Sequence, residues 1–218
     1  MAAMKVEARA IARGLGLCAA RKGEWRSAAG ILPEVHLRLV GLRAGRLTDE
    51  MLKGAFCAVM AGVAGGLDPA LRLGVVVMDD AEGIVKVALP DVVIGRIHTA
   101  TEMVCTPAEK AALFRQTGAA VVDMEMEIVR QTAARVGSPL IGLRAVLDDA
   151  ECALPAYLAK VTDDVGRPRL LPMAGRVIRR PGTVVELARL GRDAEVALAG
   201  LTRALVGLVE QVSPARTV

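Results

Sequence analysis

Three places in this 218-residue chain set polar or backbone-exposing residues where an apolar run ends. In AAVVDMEMEIVRQTAARVG (119–137), Asp123, Glu125 and Glu127 alternate with Met124 and Met126 as a β-type run hands over to a helix-like one. Ligands of open α/β sheets collect at the carboxyl ends of strands, and a helix N-terminus favours an anion. Glu125 can therefore stay ionised and accept hydrogen bonds from a diol, or serve only as a capping carboxylate. Asp123 and Glu127 read as structural or solvated. In LIGLRAVLDDAE (140–151) an apolar strand stops at Asp148-Asp149. A carboxyl held there, partly out of water, has its pKa raised as a general acid requires; the plain alternative is a turn-forming aspartate. In GVAGGLDPALRLG (62–74), Gly65 and Gly66 follow an apolar strand as a tight turn. Glycines there admit close approach of a ligand and offer it N–H groups, or make an ordinary turn.

Helical and extended patterns alternate along the chain. Helices are expected over 7–16, over 48–56 after the capping residue Thr48, over 106–118, over 124–136, and over the tail from about 185 to 212. The segment 106–118 carries the full set of signals: Thr106 to cap it, Pro107 in the first position and Gly118 at its end. Extended runs are expected at 34–42, from Ala55 into the glycine turn, at 73–80, 82–90, 119–122 and 139–149, and a Gly-, Pro- and Arg-rich loop over 160–182. Strands alternating with helices imply layered α/β architecture. No linker or repeat divides residues 1–218, so one domain is expected.

Composition excludes several classes. Hydrophobic residues make up 53%, against disorder, and aromatics only 2%, so the core is aliphatic and stacking platforms for single-stranded nucleic acid are missing. The net charge is +4 with a pI near 9.1, but the basic residues are spread out, with the densest cluster at GRVIRRPG (175–182). That argues against a nucleic-acid stripe and leaves anionic substrates and acidic lipid headgroups open. Cys18, Cys57, Cys105 and Cys152 lie far apart and read as free thiols of a reducing cytoplasm. His36 and His98 are isolated, so neither a metal nor another cofactor is expected. GLGLCA (14–19) fits a loose dinucleotide-binding pattern, but it follows a helical segment where the pattern needs a strand. The longest apolar run, GAFCAVMAGVAGGL (54–67), is too short to span a bilayer, and no signal peptide is evident.

Taken together, Ala64-Gly65-Gly66, Val122-Asp123-Met124-Glu125 and Arg144-Ala145-Val146-Leu147-Asp148 resemble, in order and spacing, three motifs of the nucleoside phosphorylase/nucleosidase superfamily. The stretches GGLDPALRLG, TPAEKAALFRQTGAAVVDME, LRAVLDDA and the tail GRPRLLPMAGRVIRRPGTVVELARLGRDAEVAL look like its hopanoid-associated phosphorylase branch. The resemblance implies a three-layer α/β/α sandwich with a mixed central sheet. It implies cleavage of the N-glycosidic bond of an adenosyl compound, adenosylhopane for that branch, with release of adenine. In that role Asp148 assists protonation of the purine, Glu125 binds the ribose hydroxyls and Met124 packs beside the sugar. The backbone of Ala64 and Gly65 lines the sugar, Met103 and Val104 of TATEMVCT flank the base, and Glu7 of MKVEARA activates water. A homodimer in the cytoplasm, in contact with the inner face of the membrane, is the matching expectation for partners and place.

The chain departs from the family pattern where hydroxyls are usual. Val63 and Leu147 stand in the places of two serines, and GLR (41–43) replaces a GIG loop. Lost hydroxyls favour hydrolysis over phosphorolysis. Alternatives that stay open are a phosphate-dependent purine nucleoside phosphorylase, a methylthioadenosine/S-adenosylhomocysteine nucleosidase, and an inactive ligand-binding protein on the same fold.

Overall fold

A computed structural model describes residues 1–30, 33–155 and 182–212. Two long strands, β4 (Ala58–Gly66) and β9 (Leu140–Asp148), run parallel at the centre of a six-stranded mixed sheet. The order is β6 (Val92–Ile94), β5 (Val76–Asp79), β9, β4, β8 (Val121–Asp123), β7 (Ile97–Thr99). The outer pairs β5–β6 and β7–β8 are parallel, while β5–β9 and β4–β8 are antiparallel. Nearly every residue of β9 is buried, as a strand covered on both faces requires, which is why it reads as a continuous apolar run. A smaller antiparallel sheet of β1 (Cys18–Arg21), β2 (Glu24–Arg26) and β3 (His36–Arg38) sits apart.

One face of the large sheet is covered by α1 (Lys5–Gly14) and by α4 (Gly182–Val212). Ala197, Leu198, Leu201, Ala204, Leu205 and Leu208 form the buried stripe of α4, at the three- and four-residue spacing of one helix face. The other face packs against α3 (Met126–Val136) through Met126, Val129 and Ala133. A small satellite cluster joins Leu113 and Phe114 of α2 (Pro107–Thr117) to Leu67, Ala119 and Val122. The three-layer α/β/α arrangement with a mixed sheet is therefore the observed one.

Several local expectations hold and others do not. The α2 boundaries are as expected: the Thr106 hydroxyl accepts the Glu109 N–H, Glu109 reaches back to the Thr106 N–H, and Gly118 closes the helix in the left-handed conformation. The helix expected over 48–56 shrinks to a 3-10 turn at Asp49–Met51, because Thr48 makes no side-chain cap and Gly54 turns the chain at φ 74°. The extended run expected over 82–90 is folded back instead, its Ile84 and Val85 N–H groups donating to the Asp80 carboxylate. The strand expected over 34–42 pairs as β3 only at His36–Arg38, with Leu39 bridging to Ala2. The loop expected over 160–182 falls almost wholly outside the described residues.

Candidate active site

The site is assembled along the second half of β4, beside β9 and the end of β8. Register brings its parts together: Gly62 lies opposite Arg144, and a shift after Ala64 sets Gly65 opposite Asp148. Gly65 and Gly66 are strand residues and not the tight turn expected, and the close approach they permit is that of their neighbours. A Cβ on Gly65 would stand 3.3 Å from Val122 Cγ1 and 3.5 Å from Asp148 Oδ2.

Glu7 enters from the first turn of α1. Its Oε2 accepts the Met4 N–H at 2.7 Å and its Oε1 accepts the Val63 N–H at 2.9 Å. Only glycine fits at position 62, because a Cβ there would lie 2.7 Å from Glu7 Oε1 and 3.3 Å from Arg144 Nη1. Burial raises the Glu7 carboxyl from 4.5 to about 7, against the pull of those two N–H bonds and of Arg144. A carboxyl so poised can take a proton from water near neutral pH.

Asp123, Glu125 and Arg144 form one buried unit. The Asp123 Oδ2 accepts from Arg144 Nε at 3.0 Å and Nη2 at 2.5 Å, while Oδ1 accepts the Thr99 hydroxyl at 2.8 Å. Asp123 also receives the Met126 N–H at 3.0 Å, and the Thr99 hydroxyl receives that of Glu127 at 2.8 Å, so these two side chains cap α3. Glu125 occupies the N-cap position but makes no cap bond. Its Oε1 accepts the Arg43 N–H at 2.9 Å and its Oε2 lies 3.9 Å from Arg144 Nη2. Glu125 is therefore not a capping carboxylate, whereas Asp123 is structural and Glu127 largely solvated, as expected. Burial raises the Glu125 pKa, opposed by Arg144 and by the Arg43 N–H. Burial also works against the charge of Arg144, yet Asp123, Glu125 and Glu7 together hold its pKa above the ordinary arginine value.

Arg43 pays for its bond to Glu125 in backbone strain. It sits at φ 53°, and Ala44 beside it at φ 50°, a region L-residues avoid. Such strain is characteristic of sites whose geometry is fixed by the surrounding structure.

Asp148 closes β9. One of its oxygens, Oδ2, is bonded by the Lys110 ammonium, which reaches in from α2 and also donates to the carbonyls of Asp149 at 2.6 Å and Cys152 at 2.9 Å. Burial raises the Asp148 carboxyl from 3.8 to about 6, with Lys110 opposing.

The structure thus sets Glu7 beside Gly62 and Val63, Glu125 beside Arg144 opposite Gly62, and Asp148 beside Gly65, all along the second half of β4. Glu7 at Gly62 and Asp148 at Gly65 are separated by three residues of strand, about 10 Å. The Ala64 side chain faces the core on the α3 side, leaving its backbone to line the site. Met124 is half-buried beside Glu125. Val104 packs into the cluster around Val122, next to the strand that Gly65 and Asp148 share, and Met103 is half-buried before it. Sequence reasoning missed the role of Arg144, for which an arginine inside an apolar strand was the signal. It also missed Lys110 and the backbone of Arg43, for which there was none.

Two cavities among the described residues contain none of the three carboxylates Glu7, Glu125 and Asp148. One, of about 720 Å³, is lined by Asp79, Arg96, His98, Thr99, Glu127 and Arg130, whose charged groups pair with one another through Arg130–Asp79 and Arg130–Glu127. The other, of about 600 Å³, is a mainly apolar groove between α1, α4, the 33–38 segment and the 50–59 segment, lined by Ile11, Leu15, Phe56, Cys57, Val59 and Leu205 together with Glu34, His36, Arg38, Glu50 and Lys53. Burial there pushes the Cys57 thiol up to about 11.

A family model described as the phosphorylase superfamily matches residues 79–165. That stretch holds Lys110, Glu125 and Asp148 but is less than half of the chain and excludes Glu7. Solved structures then give the fold over almost the whole length. The chain is similar to the 5′-methylthioadenosine/S-adenosylhomocysteine nucleosidase of Neisseria meningitidis in complex with methylthio-immucillin-A (17% identity, 97% of each chain, TM-score 0.65). It is similar to the Helicobacter pylori enzyme of the same name in complex with a pyrrolidine inhibitor (15%, 97% of this chain and 96% of that one, 0.65). It is also similar to the MTAN of Chlamydia trachomatis bound to adenine (13%, 96% and 95%, 0.62). No curated protein sequence matches the chain.

Proposed function

We propose that the protein is a nucleosidase that hydrolyses the N-glycosidic bond of an adenosyl compound and releases adenine. The observation that supports this reading is the placement of Glu7, Glu125 and Asp148, three buried carboxyls of distinct surroundings, along the second half of β4 between Gly62 and Gly65. In the reaction, water gives a proton to Glu7 and adds to the anomeric carbon. The C–N bond pair leaves with the base, which takes the proton of Asp148. Glu125 holds the ribose hydroxyls, and the carboxylates around the sugar stabilise the positive charge it gains on the way. General acid help of this kind is typically worth about 10²–10⁴-fold.

Two observations favour water over phosphate as the nucleophile. Among the described residues, both buried cations at the site are committed: Arg144 to Asp123 and the Met60 carbonyl, Lys110 to Asp148 and two further carbonyls. Val63 and Leu147 also supply no hydroxyl there. For the finer substrate we favour adenosylhopane, on the branch resemblance and on the apolar groove, which begins at Ile11, one helical turn beyond Glu7. No helix among the described residues is long and apolar enough to cross a membrane. A homodimer is the assembly we expect, to be checked by light scattering.

The test is adenine release from adenosylhopane by the purified protein, with and without phosphate. The proposal expects adenine in both conditions and no sugar phosphate. A phosphate requirement would make it a phosphorylase, and no released base a binding protein. Faster turnover of methylthioadenosine than of adenosylhopane would count against the lipid substrate.

A further inference from the structure

Lys110 is 0% exposed, the only lysine buried to that degree among the described residues, and it stands on α2, 38 positions before the carboxyl it touches. Its ammonium has three N–H bonds to give, and three acceptors meet it: Asp148 Oδ2, the Asp149 carbonyl and the Cys152 carbonyl. All three belong to the segment that leaves the end of β9. The Asp148 Oδ1 has no partner among the described residues, yet the one buried side-chain polar atom left unbonded there is Ser138 Oγ. So Oδ1 is not wholly shielded, although the Asp148 side chain is only 3% exposed.

We propose that Lys110 is a positioning residue for the proton donor of the site, clamping Oδ2 of Asp148 so that the transferable proton rides on Oδ1 and is aimed at the departing base. This rests on the nucleosidase reading above. With Oδ2 held by a cation, a proton on the carboxyl has only Oδ1 to occupy. When the C–N pair leaves with the base, that proton passes from Oδ1 to a base nitrogen, and the carboxylate left behind is neutralised by Lys110, which keeps its own three protons. Among the described residues, the ionisable groups facing Asp148 are Lys110 from α2, Asp149 beside it, and Cys105 ahead of α2. From β4, a Cβ placed on Gly65 would stand 3.5 Å from its Oδ2 and 3.8 Å from its Oδ1. Lys110 is thus the only cation in the set, and burial and Asp149 both act against it.

The experiment compares Lys110→Met with the parent protein by two readouts. The first needs no activity: the ¹³Cγ resonance of Asp148, assigned by its loss in Asp148→Asn, is titrated from pH 4 to 9. The midpoint is expected to rise by about one to three pH units without the cation. The second is the pH profile of adenine release from methylthioadenosine, whose alkaline limb should move up in parallel with little change in KM. If the parent releases no adenine, the function reading fails while the titration still decides the clamp. An unmoved midpoint, or a fall in kcat equal at every pH, overturns the proposal. Should Lys110→Met not fold, Lys110→Met/Asp148→Asn is expected to fold, because it removes the charge that Lys110 compensates. Failure of that double variant as well would make Lys110 a core filler and overturn the proposal too.

Discussion

Arg144→Met removes the one cation that three buried carboxyls share. The Arg144 and Asp123 side chains are each 1% exposed and meet through two bonds of 3.0 and 2.5 Å, and Nη1 holds the Met60 carbonyl at 3.1 Å. Methionine keeps the apolar stem and deletes the charge. A pair about 4 Å apart, as Glu125 and Arg144 are, attracts by about 4 kcal/mol at an effective dielectric of 20, but desolvating the two ions offsets much of that. Removing one partner leaves the other buried and uncompensated, which costs about 3–5 kcal/mol in comparable cases. For a domain of this size each kcal/mol moves Tm by about 2–4 °C, so the variant should melt roughly 6–20 °C lower. The loss has a pH signature. Glu7 and Glu125 have folded-state pKa values raised above their unfolded ones, so their contribution is full below the unfolded value and declines as pH rises. For Glu7 the window runs from 4.5 to about 7. Without Arg144 these carboxyls resist ionisation further, and the deficit should widen between pH 5 and 8. Urea melts at pH 5, 6, 7 and 8 measure it, and Arg144→Met/Asp123→Asn should recover at least half of the loss. A single variant within about 1 kcal/mol of the parent at pH 8, or a double variant no more stable than the single one, would refute the shared-cation account.

Three other outcomes follow from the same geometry. The pH profile of kcat/KM for adenine release should be bell-shaped with an optimum of about 6.5, since Asp148 at about 6 must carry a proton while Glu7 at about 7 must have lost one; a profile flat from pH 5 to 8 would disconnect these groups from the chemistry. Arg43→Gly should raise stability by about 0.5–1 kcal/mol with kcat unchanged, because it relieves a left-handed residue, keeps the N–H on Glu125, and surrenders part of the gain to glycine's freedom in the unfolded chain; chemical denaturation checks it, and a loss of stability would show the Arg43 side chain to be structural. Cys57→Trp fills the apolar groove and should raise KM for adenosylhopane at least several-fold while leaving methylthioadenosine unaffected; equal effects on both substrates would divorce the groove from the lipid.

What could be read from the sequence was whatever local chemistry decides alone. Thr106, Pro107 and Gly118 bound α2 by capping and by fixed or left-handed φ, and no distant residue can change that. The apolar run of β9, broken only by Arg144 and followed by two aspartates, announced both a central strand and Asp148. Where a side chain with a remote partner decided, local pattern misled. Asp80 pulls 82–85 out of an extended run by taking two N–H groups, a use of a carboxylate that nothing in the run itself signals. Lys110 is the sharpest instance. It lies in a helix whose apolar residues show little preference for one face, so periodicity cannot say which way it points, and a lysine in such a helix is ordinarily solvated. Its burial follows only once β9 delivers Asp148, Asp149 and Cys152 to one spot on the inner side of α2. The motif residues were legible because their types and order stand out at strand ends; the residues that hold them were not, because a clamp can be supplied from any element that reaches. The fold's two ends of the site differ accordingly. Glu7 is held by backbone N–H groups of the strand and of its helix's N-cap, while Asp148 is held by a side chain from elsewhere, so substitutions that alter Asp148 without touching Glu7 and Glu125 should concentrate on α2.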